Sequence, residues 1–152
     1  MWMMDQQARY LEPSRSAVWF NAVVARMTKL GVSLWGSRVL SVRGRTSGQW
    51  RSVPVNVLTI DGERYLVAAR GHTQWVRNLR AAGAGTLRVG RRVEGFRATE
   101  LADVDKSPVV RAYLARWAWE VGAFFDGINA RSSEDELRAA APGIPVFRIE
   151  PA

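Results

Sequence analysis

The chain has 152 residues, 47% of them apolar and 24% charged, which is the size and balance of one globular domain. It has no cysteine and one histidine, His72, which excludes disulfides, thiolate chemistry and any zinc site built from paired imidazoles. The net charge is +8, with 16 basic against 5 acidic residues up to Arg97 and 6 against 9 from Ala98 onward, so the first part suits an anionic partner: a phosphorylated cofactor, a lipid surface or a nucleic acid.

Met1-Trp2-Met3-Met4-Asp5 lacks the basic-then-apolar pattern of a leader, and the uncharged run Ser16 to Ala25 is half a membrane span, so a cytoplasmic protein is expected. Ser14 to Leu30 reads as a helix between Pro13 and Gly31. Its stripe Trp19, Phe20, Val23, Val24, Met27 and Leu30 suits either core packing or peripheral contact with an anionic membrane beside Arg15, Arg26 and Lys29. Arg38 to Val42 is a short strand, followed by the polar turn Arg43-Gly44-Arg45-Thr46-Ser47-Gly48-Gln49. From Trp50 to Ile60, Val53, Val55 and Val57 alternate with Ser52, Pro54 and Asn56. Asp61-Gly62 marks a hairpin, and Arg64 to Ala69 completes an antiparallel meander.

Gln74 to Ala82 fits a short helix ended by Gly83. Thr86 to Val89 and Val93 to Leu101 follow as strands around Gly90-Arg91-Arg92. Ser107 at the cap and Pro108 in the first turn open a long helix with an aromatic face running from Tyr113 and Trp117 to Phe124 and Phe125. Ser132 to Glu136 caps a further short helix, and Ile144 to Ile149 closes the chain as a strand. About six antiparallel strands with helices between them predict an α+β barrel with helical flanks. The whole chain reads as one domain, residues 1–36 forming a helical lead-in and 37–152 the barrel.

Two segments carry chemistry, and the aromatic cluster Tyr113, Trp117, Trp119, Phe124 and Phe125 suits either core or the lining of an apolar substrate pocket. In Gly44 to Arg51, two glycines admit an anion to the backbone, Thr46 and Ser47 offer hydroxyls, and Arg45 and Arg51 offer charged forks; a solvated basic hairpin has the same composition. The Walker ending and the dinucleotide fingerprint are both missing. In Ala68 to Leu79, two small residues end a strand and leave room for a flat group where a helix begins. Trp75 and Asn78 share a face of that helix, as a wall and a hydrogen-bonding group or as core and surface. His72 and Tyr113 are the candidate proton donors. The carboxylates Glu120 and Asp126 form no evident catalytic pair.

These residues in this order, with Gly44-Arg45-Thr46-Ser47-Gly48-Gln49, Arg51, Val53-Pro54-Val55, Asp61-Gly62, Val67-Ala68-Ala69, Trp75, Asn78-Leu79-Arg80-Ala81 and the closing Ile144 to Pro151, resemble the deazaflavin-dependent nitroreductase family of actinobacteria. The resemblance runs from about Leu40 to the C-terminus. It implies a split β-barrel like that of pyridoxamine-phosphate oxidases and an oxidoreductase that passes a hydride from reduced coenzyme F-420 to a quinone, nitroaromatic or enone. It places Arg45, Thr46, Ser47, Gly48, Gln49 and Arg51 on the coenzyme's phosphate and Val53, Pro54 and Val55 along its side chain and ring. Ala68, Ala69, Arg70 and Gly71 approach the ring by backbone, and Trp75 and Asn78 complete the pocket. Thr46 stands where many members carry lysine, with Arg43 or Arg70 as the replacement charge, and the loop from Ala69 to Trp75 is shorter than in the best-known nitroreductase branch. An FMN-dependent reductase and a non-catalytic lipid- or cofactor-binding protein are the alternatives on the same fold. No nucleic acid and no metal are expected, and a homodimer is common for such barrels.

Overall fold

A computed structural model describes residues 37–121 and 127–152, with the side chains of 37 and 118–121 excepted. The helix expected over Ser14–Leu30 and the side chains of Trp119, Glu120, Phe124, Phe125 and Asp126 lie outside the described residues. Six strands form the sheet: β1 (Ser37–Arg43), β2 (Trp50–Ile60), β3 (Glu63–Val67), β4 (Ala84–Val89), β5 (Arg92–Glu100) and β6 (Val146–Pro151). Helix α1 (Gln74–Ala82) joins β3 to β4, and α2 (Ser107–Val121) and α3 (Glu134–Ala140) join β5 to β6.

The sheet closes on itself in the order β1-β2-β3-β6-β5-β4, antiparallel throughout. Leu40 faces Val53 on one side and Leu87 on the other, so β1 is the seam. Closure leaves no unpaired strand edge. At the β2–β3 hairpin Asp61 (φ 51°) and Gly62 (φ 82°) both take the left-handed conformation that a two-residue turn of this twist requires.

Alternation along the strands separates two cores. Leu40, Val42, Leu66, Leu87, Phe96, Phe147 and Ile149 point inward and fill the barrel. Val76 and Leu79 of α1 close one end of it, each wholly buried. The neighbours Leu58 and Val67 point outward, under Val110, Tyr113, Leu114 and Trp117 of α2 and Leu137 of α3. The turn between α1 and β4 is fixed by Gly83 (φ 71°), whose N–H reaches the Leu79 carbonyl at 2.7 Å. The α3 start is a full capping box of Ser133 and Glu136.

Two sequence expectations change here. Ser107 is the first helical residue of α2, and its hydroxyl donates to the Glu134 carboxylate of α3, tying the two helices together. The expected single long helix breaks at Trp117 (φ −124°, ψ 16°). The Trp117 ring is completely buried and lies 5.1 Å from Tyr113, so packing sets the chain direction there. No helix among the described residues is long and apolar enough to cross a membrane.

Candidate functional site

The basic turn between β1 and β2 is a closed backbone loop. Gly44 N–H donates to the Gln49 carbonyl at 2.7 Å, and Gly48 N–H donates to the Gly44 carbonyl at 2.9 Å. Gln49 N–H donates to Ser47 Oγ at 3.1 Å. A Cβ on Gly44 would sit 2.7 Å from Ser47 Oγ and 3.2 Å from the Gln49 carbonyl oxygen, so only glycine lets the serine tuck in. Gly48 takes φ 73°, the second position where glycine is required.

The turn is braced from both sides. Arg43 Nη1 donates to the Gly48 carbonyl at 2.9 Å while its guanidinium lies 4.9 Å from the centre of the Trp50 ring. From the barrel end, Asn78 Oδ1 accepts from the Arg45 backbone N–H at 3.1 Å and from Arg45 Nη1 at 2.8 Å. Asn78 is itself buried, so one helix residue holds a turn 33 positions away. The sequence offered Asn78 as a pocket group or a surface residue. Its oxygen is instead the anchor of the turn, and nothing local signals a partner at that separation.

Asn78→Ala is expected to cost about 1–2 kcal/mol of stability, because two hydrogen bonds lose their acceptor in a partly buried place. Urea denaturation measures it, and an unchanged midpoint would show that water replaces the anchor.

The backbone N–H groups of Arg45, Gly48 and Gln49 are spent within this brace, while the turn itself faces solvent. Arg45, Thr46, Ser47, Gly48, Gln49 and Arg51 are all exposed. Arg51 pairs with the inward-facing Val42 and so continues the stripe of Val53, Val55 and Val57 to the barrel rim. Those three valines and Pro54 are half-buried.

The second segment lies at the same end. Ala68 and Ala69 are buried on opposite faces, in the inner and outer cores. Ala68 N–H donates to the Pro145 carbonyl at 2.9 Å, Gly71 N–H to the Ala68 carbonyl at 3.0 Å, and Thr73 N–H to the Gly71 carbonyl at 2.8 Å. These amides serve the loop, and Gly71 takes φ 85°. Arg70 is half-buried. Thr73 precedes α1 in extended conformation, yet its hydroxyl does not cap the helix, and Oγ1 is the one buried side-chain oxygen among the described residues with no partner. Trp75 is half-buried, tilted at 48° against Phe147 with ring centres 6.2 Å apart.

The two candidate proton donors are differently placed. Tyr113, on α2, is buried in the outer core. His72 Nε2–H donates to the Pro142 carbonyl at 3.0 Å, and burial, then Arg80, Lys106 and Arg77, push its pKa below the usual histidine value against a smaller opposing effect of Glu100. The unfolded chain therefore takes up this proton first as pH falls. Stability is expected to decline below about pH 6.5, the ordinary histidine pKa, and to level off once the folded ring is protonated as well. His72→Gln should flatten that part of the curve of Tm against pH; an unaltered slope would assign it to other groups.

The helix is pinned over the rim by Arg80, whose fork reaches Glu100 at 2.7 and 2.6 Å. Turn, loop and α1 thus form one rigid end of the barrel, with basic groups on one side and an indole on the other.

A family model described as F420H(2)-dependent quinone reductase matches residues 5–121. Among solved structures, the chain is similar to an F420-H2 dependent reductase (TM-score 0.52, 20% identity, covering 76% of this chain and 94% of that one). A protein described as a domain-swapped dimer matches at TM-score 0.55 and 20% identity, covering 89% and 99%. A FAD-binding protein from Mesorhizobium loti follows at TM-score 0.51 and 17% identity, covering 82% and 85%. No curated protein matches the chain.

Proposed function

The chain belongs to the F420H(2)-dependent quinone reductase family, an oxidoreductase family that uses coenzyme F-420, and from that membership we propose how its residues hold the coenzyme and meet the acceptor. The exposed donor set of the turn holds the phosphate: Arg45, Thr46, Ser47, Gly48 and Gln49 surround it and Arg51 closes on it from the rim. The observation that carries this reading is the Arg51 guanidinium, which has no hydrogen-bond or ion-pair partner among the described residues although it stands beside a braced, glycine-opened turn. A rigid turn loses little freedom on binding, which is the advantage of the Asn78 anchor.

Val53, Pro54 and Val55 offer a half-buried apolar track from the turn along β2. Ala68, Ala69, Arg70 and Gly71 bring bare backbone toward the ring, and Trp75 supplies a flat wall. When bound, the reduced deazaflavin supplies a hydride to the acceptor. The protein's part is to stack donor and acceptor and keep them in register. Asn78 acts on the coenzyme only through Arg45. His72 is neutral at pH 7 with its proton held by Pro142, so protons reach the acceptor from water.

The reading extends to nitroaromatics and enones, which share the planar, electron-poor character of a quinone. It also includes a homodimer, supported by the similar structure described as a domain-swapped dimer, and peripheral membrane contact through the helix expected at Ser14–Leu30. Fluorescence titration with oxidised coenzyme F-420 beside FMN tests the coenzyme site. Tighter binding of the deazaflavin is expected, and preference for FMN would overturn the assignment. Sedimentation at micromolar concentration tests the dimer.

A further inference from the structure

The loop from β3 into α1 carries one buried polar atom that its own fold does not use. Thr73 is 7% exposed. It holds the N-cap position of α1 in extended conformation (φ −78°, ψ 178°), where a threonine hydroxyl ordinarily accepts from the second or third helical amide. It makes no such bond, and Oγ1 has no other partner among the described residues. The carbonyls around it are already engaged. Gly71 O accepts from Thr73 N–H at 2.8 Å, Thr73 O from Arg77 N–H at 3.1 Å, and His72 O from Arg77 Nε at 3.2 Å. A buried hydroxyl that bonds nothing destabilises the chain that carries it.

This hydroxyl sits where negative charge would be welcome. With the cap unmade, the amides of Gln74, Trp75 and Val76 have no acceptor within the helix. The first turn has no acidic side chain to complement the helix dipole. The neighbourhood is positive as well: burial and then the cations Arg80, Lys106 and Arg77 make the adjacent His72 harder to protonate, against Glu100 alone. Trp75, the wall of the pocket, follows two residues later.

We propose that Thr73 Oγ1–H and the first amides of α1 receive a conjugated ring oxygen that carries negative charge, and that the hydroxyl stays unpaired until this oxygen arrives. The proposal rests on the reading that coenzyme and acceptor meet at the start of α1. The oxygen belongs either to the coenzyme's ring or to the acceptor. In the second case the hydride leaves the coenzyme with its electron pair and bonds the quinone, one of whose oxygens takes the negative charge until water protonates it. Donors fixed in place by the fold stabilise such an oxygen without rearranging. The backbone of Thr73 already has cap conformation, so a turn about its Cα–Cβ bond brings Oγ1 to the helix start.

The test compares the full chain with Thr73→Val, which keeps the shape and removes the hydroxyl, and with Thr73→Ser, which keeps the hydroxyl. Without coenzyme, Thr73→Val is expected to melt at or above the Tm of the wild type, because an unpaired buried group has gone. Oxidised coenzyme F-420 is then titrated by fluorescence, and reduction of menadione is followed at saturating reduced coenzyme. Coenzyme affinity lower by about tenfold or more in Thr73→Val assigns the oxygen to the coenzyme. Unchanged affinity with kcat lower by about tenfold or more assigns it to the acceptor. Thr73→Ser should restore whichever is lost. A Tm more than about 2 °C below the wild type in coenzyme-free Thr73→Val means that the hydroxyl caps α1, and overturns the proposal. Affinity and kcat both equal to the wild type overturn it too, and leave the coenzyme reading standing. A wild type that binds no coenzyme overturns both together.

Discussion

Coenzyme affinity is expected to fall by about 1.5–3 kcal/mol, roughly 10- to 150-fold, when Arg51 becomes alanine, if its fork bonds the phosphate. Stability should stay unchanged, since the side chain is exposed and makes no bond within the described residues. That separation makes the variant informative: lost binding cannot be blamed on a damaged fold. Arg51→Lys keeps the charge and loses the fork, so it should recover only part of the affinity. Titration of coenzyme fluorescence reads all three proteins, and equal affinity in Arg51→Ala would remove this residue from the site.

The largest stability change is expected inside the barrel. Phe96→Ala should destabilise by about 3–5 kcal/mol, a large share of the 5–15 kcal/mol that holds a domain together. The Phe96 ring is completely buried over Gly85, its partner across the ladder. A Cβ at Gly85 would lie 3.0 Å from Phe96 Cζ and 2.8 Å from the Ser41 carbonyl oxygen. Ring and glycine are thus fitted to each other, and six mutually bonded strands cannot close over the hole that alanine leaves. Urea unfolding measures the loss. A value under about 1.5 kcal/mol would mean that the walls relax, as they do at the mildest core truncations.

The barrel was legible because alternation and turn chemistry are local. Val53, Val55 and Val57 against Ser52, Pro54 and Asn56, then Asp61-Gly62, define the meander before any contact is known. Boundaries moved where a residue cannot complete the ladder. The last strand begins at Val146 rather than Ile144: the Pro145 carbonyl still accepts from Ala68 N–H, but proline has no N–H to return the bond. The seam between β1 and β4 and the Asn78 anchor join residues far apart in sequence, and no local pattern encodes them. The basic turn was readable as composition, through its glycines, hydroxyls and arginines. What holds it rigid was not, because Arg43 on Trp50 and Arg45 on Asn78 depend on the folded barrel.

The aromatic filling of the barrel has a consequence for the range of acceptors. With Phe96 and Phe147 in its apolar filling and α1 seated over one end, the barrel is packed inside, so on the proposed reading the coenzyme and acceptor meet at the rim. A reaction centre on an outer surface imposes no ceiling on the length of its partner. A quinone can present its head group while a long tail remains in whatever phase it came from, so turnover should depend on the head's electronics far more than on the tail's bulk.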